Sequence, residues 1–170
     1  PTAPAEPVDL DGAHAYLDAH VNLEATAGRV EGLSLERMRA LVGALGDPQT
    51  DVPVLHVTGT NGKGSTVRMA AALLRAQGLS VATYTSPHLE RLNERLAWDG
   101  RPVDDDTLAA LVTDVARVEP TLDPALGPPS YFELVTAAAY RWFADLAVDV
   151  AVVEVGLLGR WDATNVADGR

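Results

Sequence analysis

Short apolar runs alternate along this chain with longer segments in which apolar residues recur at helical spacing. The apolar runs cover residues 52–57, 79–85 and 148–155, and each has the length of a strand. The segments that end near Ala76 and Val118 have apolar residues three or four positions apart, which is typical of amphipathic helices. Strands that are apolar on both faces are typical of sheets covered by helices. The pattern therefore predicts an α/β fold, with a mostly parallel sheet flanked by helices.

The first fifty residues predict helices instead of strands. Residues 1–9 are rich in proline and predict a loose arm. The spacing of apolar residues then predicts short helices within residues 10–23 and 34–45. We therefore expect a helical lead-in over residues 1–50 and an α/β core over residues 51–170.

Turn and capping signals lie between the second and third apolar runs. Asp99 and Gly100 form a dipeptide that suits the primed turn of a β-hairpin. Four prolines predict a loop over residues 119–130, before a helix. Ser130 and Glu133 have the spacing of a capping box, so we interpret Glu133 as a structural residue and not as a catalytic one.

The composition describes an acidic globular protein without cysteine chemistry. Apolar residues make up 47% of the 170 residues, and 13 basic against 24 acidic residues give a formal net charge of −11. This charge disfavours nucleic acid and anionic membranes as partners. The lack of cysteine excludes disulfides, thiolate zinc sites and a cysteine nucleophile. We see no bilayer-length apolar run and no basic, apolar leader, and so expect a cytosolic setting.

A glycine-rich loop follows the first apolar run and leads into a predicted helix. Glycines let phosphate oxygens approach the backbone, and the N–H groups at a helix start attract anions. Lys63 is the only lysine among the 13 basic residues. Its compact ammonium suits the β- and γ-phosphates of a nucleotide, and the hydroxyls that follow suit Mg²⁺. The predicted phosphate loop consists of Gly59, Thr60, Asn61, Gly62, Lys63, Gly64, Ser65 and Thr66.

The spacing of this loop departs from the common P-loop pattern. Gly59 and Gly62 are three residues apart, and Gly64 separates Lys63 from Ser65. A flexible glycine turn without a ligand is the alternative interpretation. We favour a phosphate site, because a strand, the glycines, the sole lysine, two hydroxyls and a helix follow one another in the required order.

Polar residues at two other strand ends are expected at the same edge of the sheet, where α/β proteins bind ligands. Glu154 lies at the end of the third apolar run. We interpret it as a magnesium ligand more readily than as an ordinary strand-end residue, because an unpaired buried carboxylate is costly. Ser86 and His88 follow the second run. Ser86 suits a metal or a phosphate and His88 suits a substrate contact, although an ordinary turn explains them equally well.

Four motifs occur in a characteristic order. They are Val-Thr-Gly-Thr-Asn-Gly-Lys-Gly-Ser at residues 57–65, Thr-Ser-Pro-His-Leu at 85–89, Asn-Glu-Arg at 93–95 and Glu-Val-Gly-Leu-Leu-Gly-Arg-Trp-Asp-Ala-Thr-Asn at 154–165. Together they resemble the folylpolyglutamate synthase and dihydrofolate synthase family, within the Mur ligase superfamily. The Lys-Gly-Ser loop together with Thr-Ser-Pro-His is specific to the folate branch, since Mur ligases usually have a hydroxyl residue directly after the lysine. The resemblance implies a P-loop NTPase-like domain.

The resemblance also implies an ATP-dependent amide ligase that adds L-glutamate to dihydropteroate, to a folylpolyglutamate or to both, through an acyl phosphate. Carried over by position, Lys63 grips the β- and γ-phosphates, and Ser65 and Glu154 hold one Mg²⁺. Ser86 with Glu154 serves a second Mg²⁺. The pterin and its reactive carboxylate are expected to be bordered by Ser86, His88, Asp162, Ala163, Thr164 and Asn165. His88 joins Lys63 and Glu154 in the expected catalytic set.

The family pattern extends beyond the motifs present here. It includes a metal-binding histidine, a modified lysine and a C-terminal domain that binds glutamate. Since Lys63 is the only lysine, we expect this chain to be the N-terminal part of a longer enzyme, incomplete at its C-terminus and inactive alone. Leu158 and Trp161 stand where the family usually has a glycine and a smaller apolar residue.

Two other functions stay open. A Mur-type ligase would add an amino acid to a UDP-muramoyl precursor, and Gly64 and the Ser-Pro-His sequence weigh against it. A non-catalytic nucleotide-binding module is the second alternative. For the favoured folate ligase we expect small-molecule substrates, no nucleic acid or membrane partner, and a monomer.

Overall fold

Five strands form one sheet in the computed structural model, which describes residues 9–26 and 34–169. In chain order they are β1 (Val54–Val57), β2 (Val81–Tyr84), β3 (Leu96–Trp98), β4 (Arg101–Pro102) and β5 (Val150–Glu154). Across the sheet the order is β1-β5-β2-β3-β4. Strand β5 runs parallel to both β1 and β2, whereas β3 and β4 pair in antiparallel fashion. The predicted α/β class is confirmed, and the hairpin supplies the antiparallel part of the sheet.

Helices cover both faces of this sheet. They are α1 (Leu10–Asp18), α2 (Leu23–Thr26), α3 (Glu36–Ala44), α4 (Lys63–Ala76), α5 (Asp105–Val118) and α6 (Tyr131–Asp145). Successive strand residues point to opposite faces, and they divide between two apolar clusters accordingly. Val81 and Val152 pack against α4, whereas Ala82 and Val153 join a larger cluster with α1, α3, α5 and α6. The glycine loop therefore leads into α4, which packs on the opposite face of the sheet from α1, α3, α5 and α6.

The short helix predicted within residues 10–23 is confirmed as α1. Helix α1 ends at Asp18, and α2 begins at Leu23. The carbonyl of Val21, between them, accepts a hydrogen bond of 3.0 Å from the N–H of Tyr131, which ties the lead-in to the start of α6. Of the predicted proline-rich arm, only Asp9 lies within the described residues, and it caps α1.

The predicted turn and capping signals are confirmed. Asp99 and Gly100 have φ angles of 49° and 81°, in the left-handed region that a primed turn requires. The Ser130 hydroxyl accepts from the N–H of Glu133 at 3.3 Å, and the Glu133 carboxylate accepts from the N–H of Ser130 at 2.7 Å. The predicted burial of the first apolar run is wrong in part. Only Val54 of β1 is fully buried, because β1 lies at the end of the strand order.

The helices of the described ranges are all too short or too polar to cross a membrane.

Candidate functional site

The glycine loop connects β1 to α4 and forms an uncapped helix N-terminus. The first bond along the helix runs from the N–H of Thr66 to the carbonyl of Gly62 at 2.9 Å, and no side chain caps the start. The N–H groups of Lys63, Gly64 and Ser65 therefore have no intrahelical partner. Gly62 has a φ of 76°, which a residue with a side chain rarely adopts, so glycine is required for this turn. Three donors and the positive end of the helix dipole converge where an anion can bind.

The two hydroxyls of the loop are not equivalent. The Thr66 hydroxyl donates to the carbonyl of Gly62 at 2.9 Å and so stabilises the helix start. Ser65 is exposed, and its hydroxyl makes no hydrogen bond within the part of the chain that the structure describes. Of the two, Ser65 has the hydroxyl that is free to bind a metal.

Glu154 lies beside this helix start. Residue Val57 of β1 is opposite Glu154 in the parallel register, so the carboxylate reaches the beginning of the loop. Its Oε1 lies 4.0 Å from Nζ of Lys63, and its Oε2 accepts a long hydrogen bond of 3.4 Å from the N–H of Ser86. Burial raises the pKa of the Glu154 carboxyl, and the Ser86 N–H and the nearby Lys63 charge oppose that rise. The site therefore holds a buried carboxylate with few partners.

Gly64 lies directly beside Glu154. A Cβ atom at residue 64 would lie 3.4 Å from Oε2 of Glu154, at the short limit of ordinary van der Waals contact. The φ angle of Gly64 is not in the left-handed region, so the backbone conformation does not require a glycine here. The helix start therefore approaches the carboxylate closely at the position where the loop departs from the common P-loop spacing.

His88 is held by a residue that sequence analysis did not interpret. Ser86 and Pro87 are joined by a cis peptide bond, and His88 follows them. Nδ1 of His88 accepts a hydrogen bond of 2.9 Å from Nε of Arg95, whose side chain is 3% exposed and paired with Glu24 at 2.7 Å. Burial and the Arg95 charge lower the pKa of His88. The signal in the sequence was the Asn-Glu-Arg motif, which carried a resemblance but no assigned role.

The residues predicted to border the pterin mostly point inward. Asp162, Ala163 and Thr164 are buried, and the Asp162 carboxylate accepts hydrogen bonds from the backbone N–H and the hydroxyl of Thr164 at 3.2 and 2.7 Å. Nε2 of His56 lies 2.8 Å from the Thr164 hydroxyl. Asn165, which is partly exposed, donates to the carbonyl of Gly159. Their proposed role towards substrate remains a prediction.

Two groups of predicted residues are thus seen. At the start of α4, Glu154 contacts both the Lys63 ammonium and the backbone N–H of Ser86. Across the described residues, no hydrogen bond or ion pair joins His88 or Asp162 to that group. His88 instead lines a cavity of about 440 Å³ next to α1.

The chemistry at the start of α4 suits Mg²⁺ better than a transition metal. A carboxylate and a free hydroxyl, from Glu154 and Ser65, are hard oxygen donors of the kind that Mg²⁺ uses together with phosphates. Residues 9–26 and 34–169 contain no cluster of three His, Cys, Asp or Glu side chains that could hold an ion unaided. A magnesium ion at this position would therefore take its further ligands from water or from the oxygens of a bound phosphate.

Known proteins resemble this chain in sequence and in structure, although no family model matches it. The dihydrofolate synthase/folylpolyglutamate synthase of Bacillus subtilis is 41% identical over 136 residues, which cover 79% of this chain and 32% of that protein. The folylpolyglutamate synthase of Mycobacterium tuberculosis in complex with ADP superposes with a TM-score of 0.84 at 40% identity, over 94% of this chain and 35% of the other. A complex of folylpolyglutamate synthase (FPGS) with AMPPCP and folate superposes with a TM-score of 0.85 at 37% identity, over 95% of this chain and 38% of the other. The chain thus spans about a third of the length of each of these relatives.

Proposed function

This chain belongs to the folylpolyglutamate synthase/dihydrofolate synthase family, and from that premise we propose that it is the ATP-binding part of an ATP-dependent ligase that adds L-glutamate to a folate. One observation carries the proposal. The uncapped start of α4, the ammonium of Lys63 and the buried carboxylate of Glu154 converge at one edge of the sheet. Similar chains with ADP and with AMPPCP and folate support a nucleotide at this position.

In the proposed site, the protein positions and neutralises phosphates. The N–H groups of residues 63–65 and the Lys63 ammonium bind the β- and γ-phosphates, since donors in a fixed arrangement stabilise the charge that develops during phosphoryl transfer. Glu154 and Ser65 would hold Mg²⁺ at this site, and Ser86, whose backbone contacts Glu154, would serve a second ion. Bound Mg²⁺ would supply charge neutralisation on the transferring phosphoryl group.

The proposed reaction has two steps. A carboxylate oxygen of the dihydropteroate or folate substrate attacks the γ-phosphorus, which forms an acyl phosphate and releases ADP. The amine of L-glutamate then attacks the acyl carbon, forms the amide, loses a proton and expels inorganic phosphate. His88 and the segment of residues 162–165 border the substrate in this proposal. We further propose that the enzyme works as a monomer in the cytosol.

Titration calorimetry with MgATP tests the phosphate site on this chain. Lys63→Met should weaken MgATP binding at least tenfold, or about 1.4 kcal/mol, because a charge-assisted contact to phosphate is lost while the loop backbone stays. Arg75→Met is the matched control, since Arg75 is an exposed cation in the last turn of the same helix. Equal affinities for the Lys63→Met and the parent chain would remove the phosphate assignment.

The substrate class needs a separate experiment. With AMPPCP and Mg²⁺ present, saturation-transfer NMR can compare dihydropteroate, tetrahydrofolate and a UDP-muramoyl precursor as ligands of this chain. Binding of the pterins alone supports the folate ligase. Binding of the UDP-muramoyl precursor alone would support the Mur-type alternative, and nucleotide binding with none of the three would favour a non-catalytic module.

A further inference from the structure

Arg95 is a buried cation that reaches from the core to both the lead-in and the turn after β2. Its Nη2 lies 2.7 Å from Oε2 of Glu24 in α2, and its guanidinium carbon lies 5.6 Å from the centre of the Tyr131 ring. Its Nε donates to Nδ1 of His88 at 2.9 Å. Three different elements thus meet at one guanidinium, which is planar and presents its donors in a fixed fork.

The contact between Arg95 and His88 determines which nitrogen of the imidazole carries the proton. An arginine Nε–H only donates, so Nδ1 of His88 must accept with its lone pair. A neutral imidazole has one N–H, and that proton must then be on Nε2. His88 is therefore presented as a hydrogen-bond donor through Nε2.

His88 lies at a cavity in which a ligand could accept that hydrogen bond. His88 lines the cavity of about 440 Å³, together with His14, Asp18 and Tyr131. Within the described ranges, Nε2 of His88 has no hydrogen-bond partner of its own. A ligand in this cavity would meet an oriented N–H that no protein group satisfies.

We propose that Arg95, anchored by Glu24, is a positioning residue that fixes His88 in the Nε2–H tautomer and so presents a neutral hydrogen-bond donor to an acceptor atom of the substrate. The inference rests on the proposed function for the identity of the substrate, but the tautomer itself does not depend on it. Lysine cannot replace Arg95, because a single ammonium cannot hold Glu24 and Nδ1 of His88 in the same fork geometry.

Long-range ¹H–¹⁵N NMR of the histidine rings tests the tautomer directly on this chain. The chain has only four histidines, and His88→Gln identifies the signals of His88 by their loss. At neutral pH we expect a protonated Nε2 and an unprotonated Nδ1 for His88 in the parent chain. A proton on Nδ1, or on both nitrogens, would overturn the proposal without any variant.

Two variants separate positioning from a purely structural role. Arg95→Lys and Glu24→Gln should each mix the two tautomers of His88. Arg91→Lys should not, because the exposed Arg91 pairs with Asp105 and, among the described residues, makes no hydrogen bond with His88. With MgAMPPCP present, Arg95→Lys should weaken dihydropteroate binding about five- to tenfold and leave MgAMPPCP affinity unchanged. Equal losses for both ligands would mean that Arg95 is structural only. If dihydropteroate fails to bind the parent chain, the proposed substrate is wrong, and the tautomer measurement still decides the role of Arg95.

Discussion

Gly156 follows Glu154 closely, and replacing it with alanine tests how tightly the end of β5 is packed. A Cβ atom at this position would lie 2.8 Å from Cζ of Phe132 and 2.8 Å from Oδ2 of Asp162. Both distances are shorter than real Cβ contacts allow, so both neighbours, or the backbone of residue 156, must shift. The φ angle of Gly156 is one that alanine also adopts, so the cost comes from the contacts and not from backbone strain.

Neither neighbour can move freely. The Asp162 carboxylate is held by Thr164, and the Phe132 ring packs 5.9 Å from the ring of Tyr84. Forcing an extra methyl group into a packed site costs about 1–3 kcal/mol. Displacing the carboxylate adds the loss of a hydrogen bond to a charged group, about 1.5–3 kcal/mol. Neither neighbour needs to be displaced completely, so the two costs do not add in full. We therefore expect Gly156→Ala to lower the free energy of unfolding by about 2–4 kcal/mol.

Thermal and urea unfolding measure this change against a matched glycine. Gly43→Ala is the control, because residue 43 lies in α3 with its nearest atom at 3.9 Å, an ordinary contact. Alanine there should be neutral or stabilising by up to about 1 kcal/mol. For a chain of this size, each kcal/mol shifts Tm by roughly 2–4 °C. In a Phe132→Leu background the cost of Gly156→Ala should be smaller, which a double-mutant cycle detects. A Gly156→Ala chain that melts together with the control would refute the packing described here.

Three further changes give expected outcomes of different kinds. Glu154→Gln should raise the free energy of unfolding near pH 7. Burial raises the pKa of the Glu154 carboxyl, so the folded parent chain holds this proton more tightly than the unfolded chain does. The parent chain therefore loses stability as the pH rises above the ordinary carboxyl pKa near 4.5, whereas the neutral glutamine does not titrate. The gain should shrink towards pH 4, and urea unfolding that shows no gain at pH 7 would contradict the burial. Tyr140→Phe should cost about 1–3 kcal/mol in the same assay, because the carbonyl of Thr164 loses its 2.8 Å donor inside the core. Arg37→Met should cost about 1–3 kcal/mol by removing the guanidinium from the buried Glu133, while MgATP affinity measured by calorimetry stays unchanged.

The parts of the site that were predicted depend on local sequence. The order of strand, glycines, lysine and helix is enough to expect the anion site, because the donors are backbone groups of consecutive residues. The position of Glu154 at the same edge could also be predicted, since the carboxyl ends of parallel strands meet at one edge of the sheet. Only the structure shows that β5 lies between β1 and β2, which puts Glu154 next to the loop.

The parts that were not predicted depend on contacts between distant elements. Arg95 and Glu24 are 71 residues apart, and no local sequence pattern at either residue predicts the ion pair between them. The side chain of His20, which follows α1, is 5% exposed, and its Nε2 lies 3.0 Å from the Glu119 carboxylate. Charged residues in amphipathic segments are normally solvated, and only tertiary packing decides which of them find a buried partner.

Two similarly buried glutamates differ in how far the fold satisfies their charge. Glu133 is 7% exposed and Glu154 is 5% exposed. Glu133 accepts bonds of 2.7 and 2.8 Å from the N–H and hydroxyl of Ser130 and pairs with Arg37 at 2.8 Å. Among the described residues, the polar partners of Glu154 are only the Ser86 N–H at 3.4 Å and the Lys63 ammonium at 4.0 Å. A buried charge with so few partners is expensive in the free fold, and a cation and phosphates at the start of α4 would supply what it lacks.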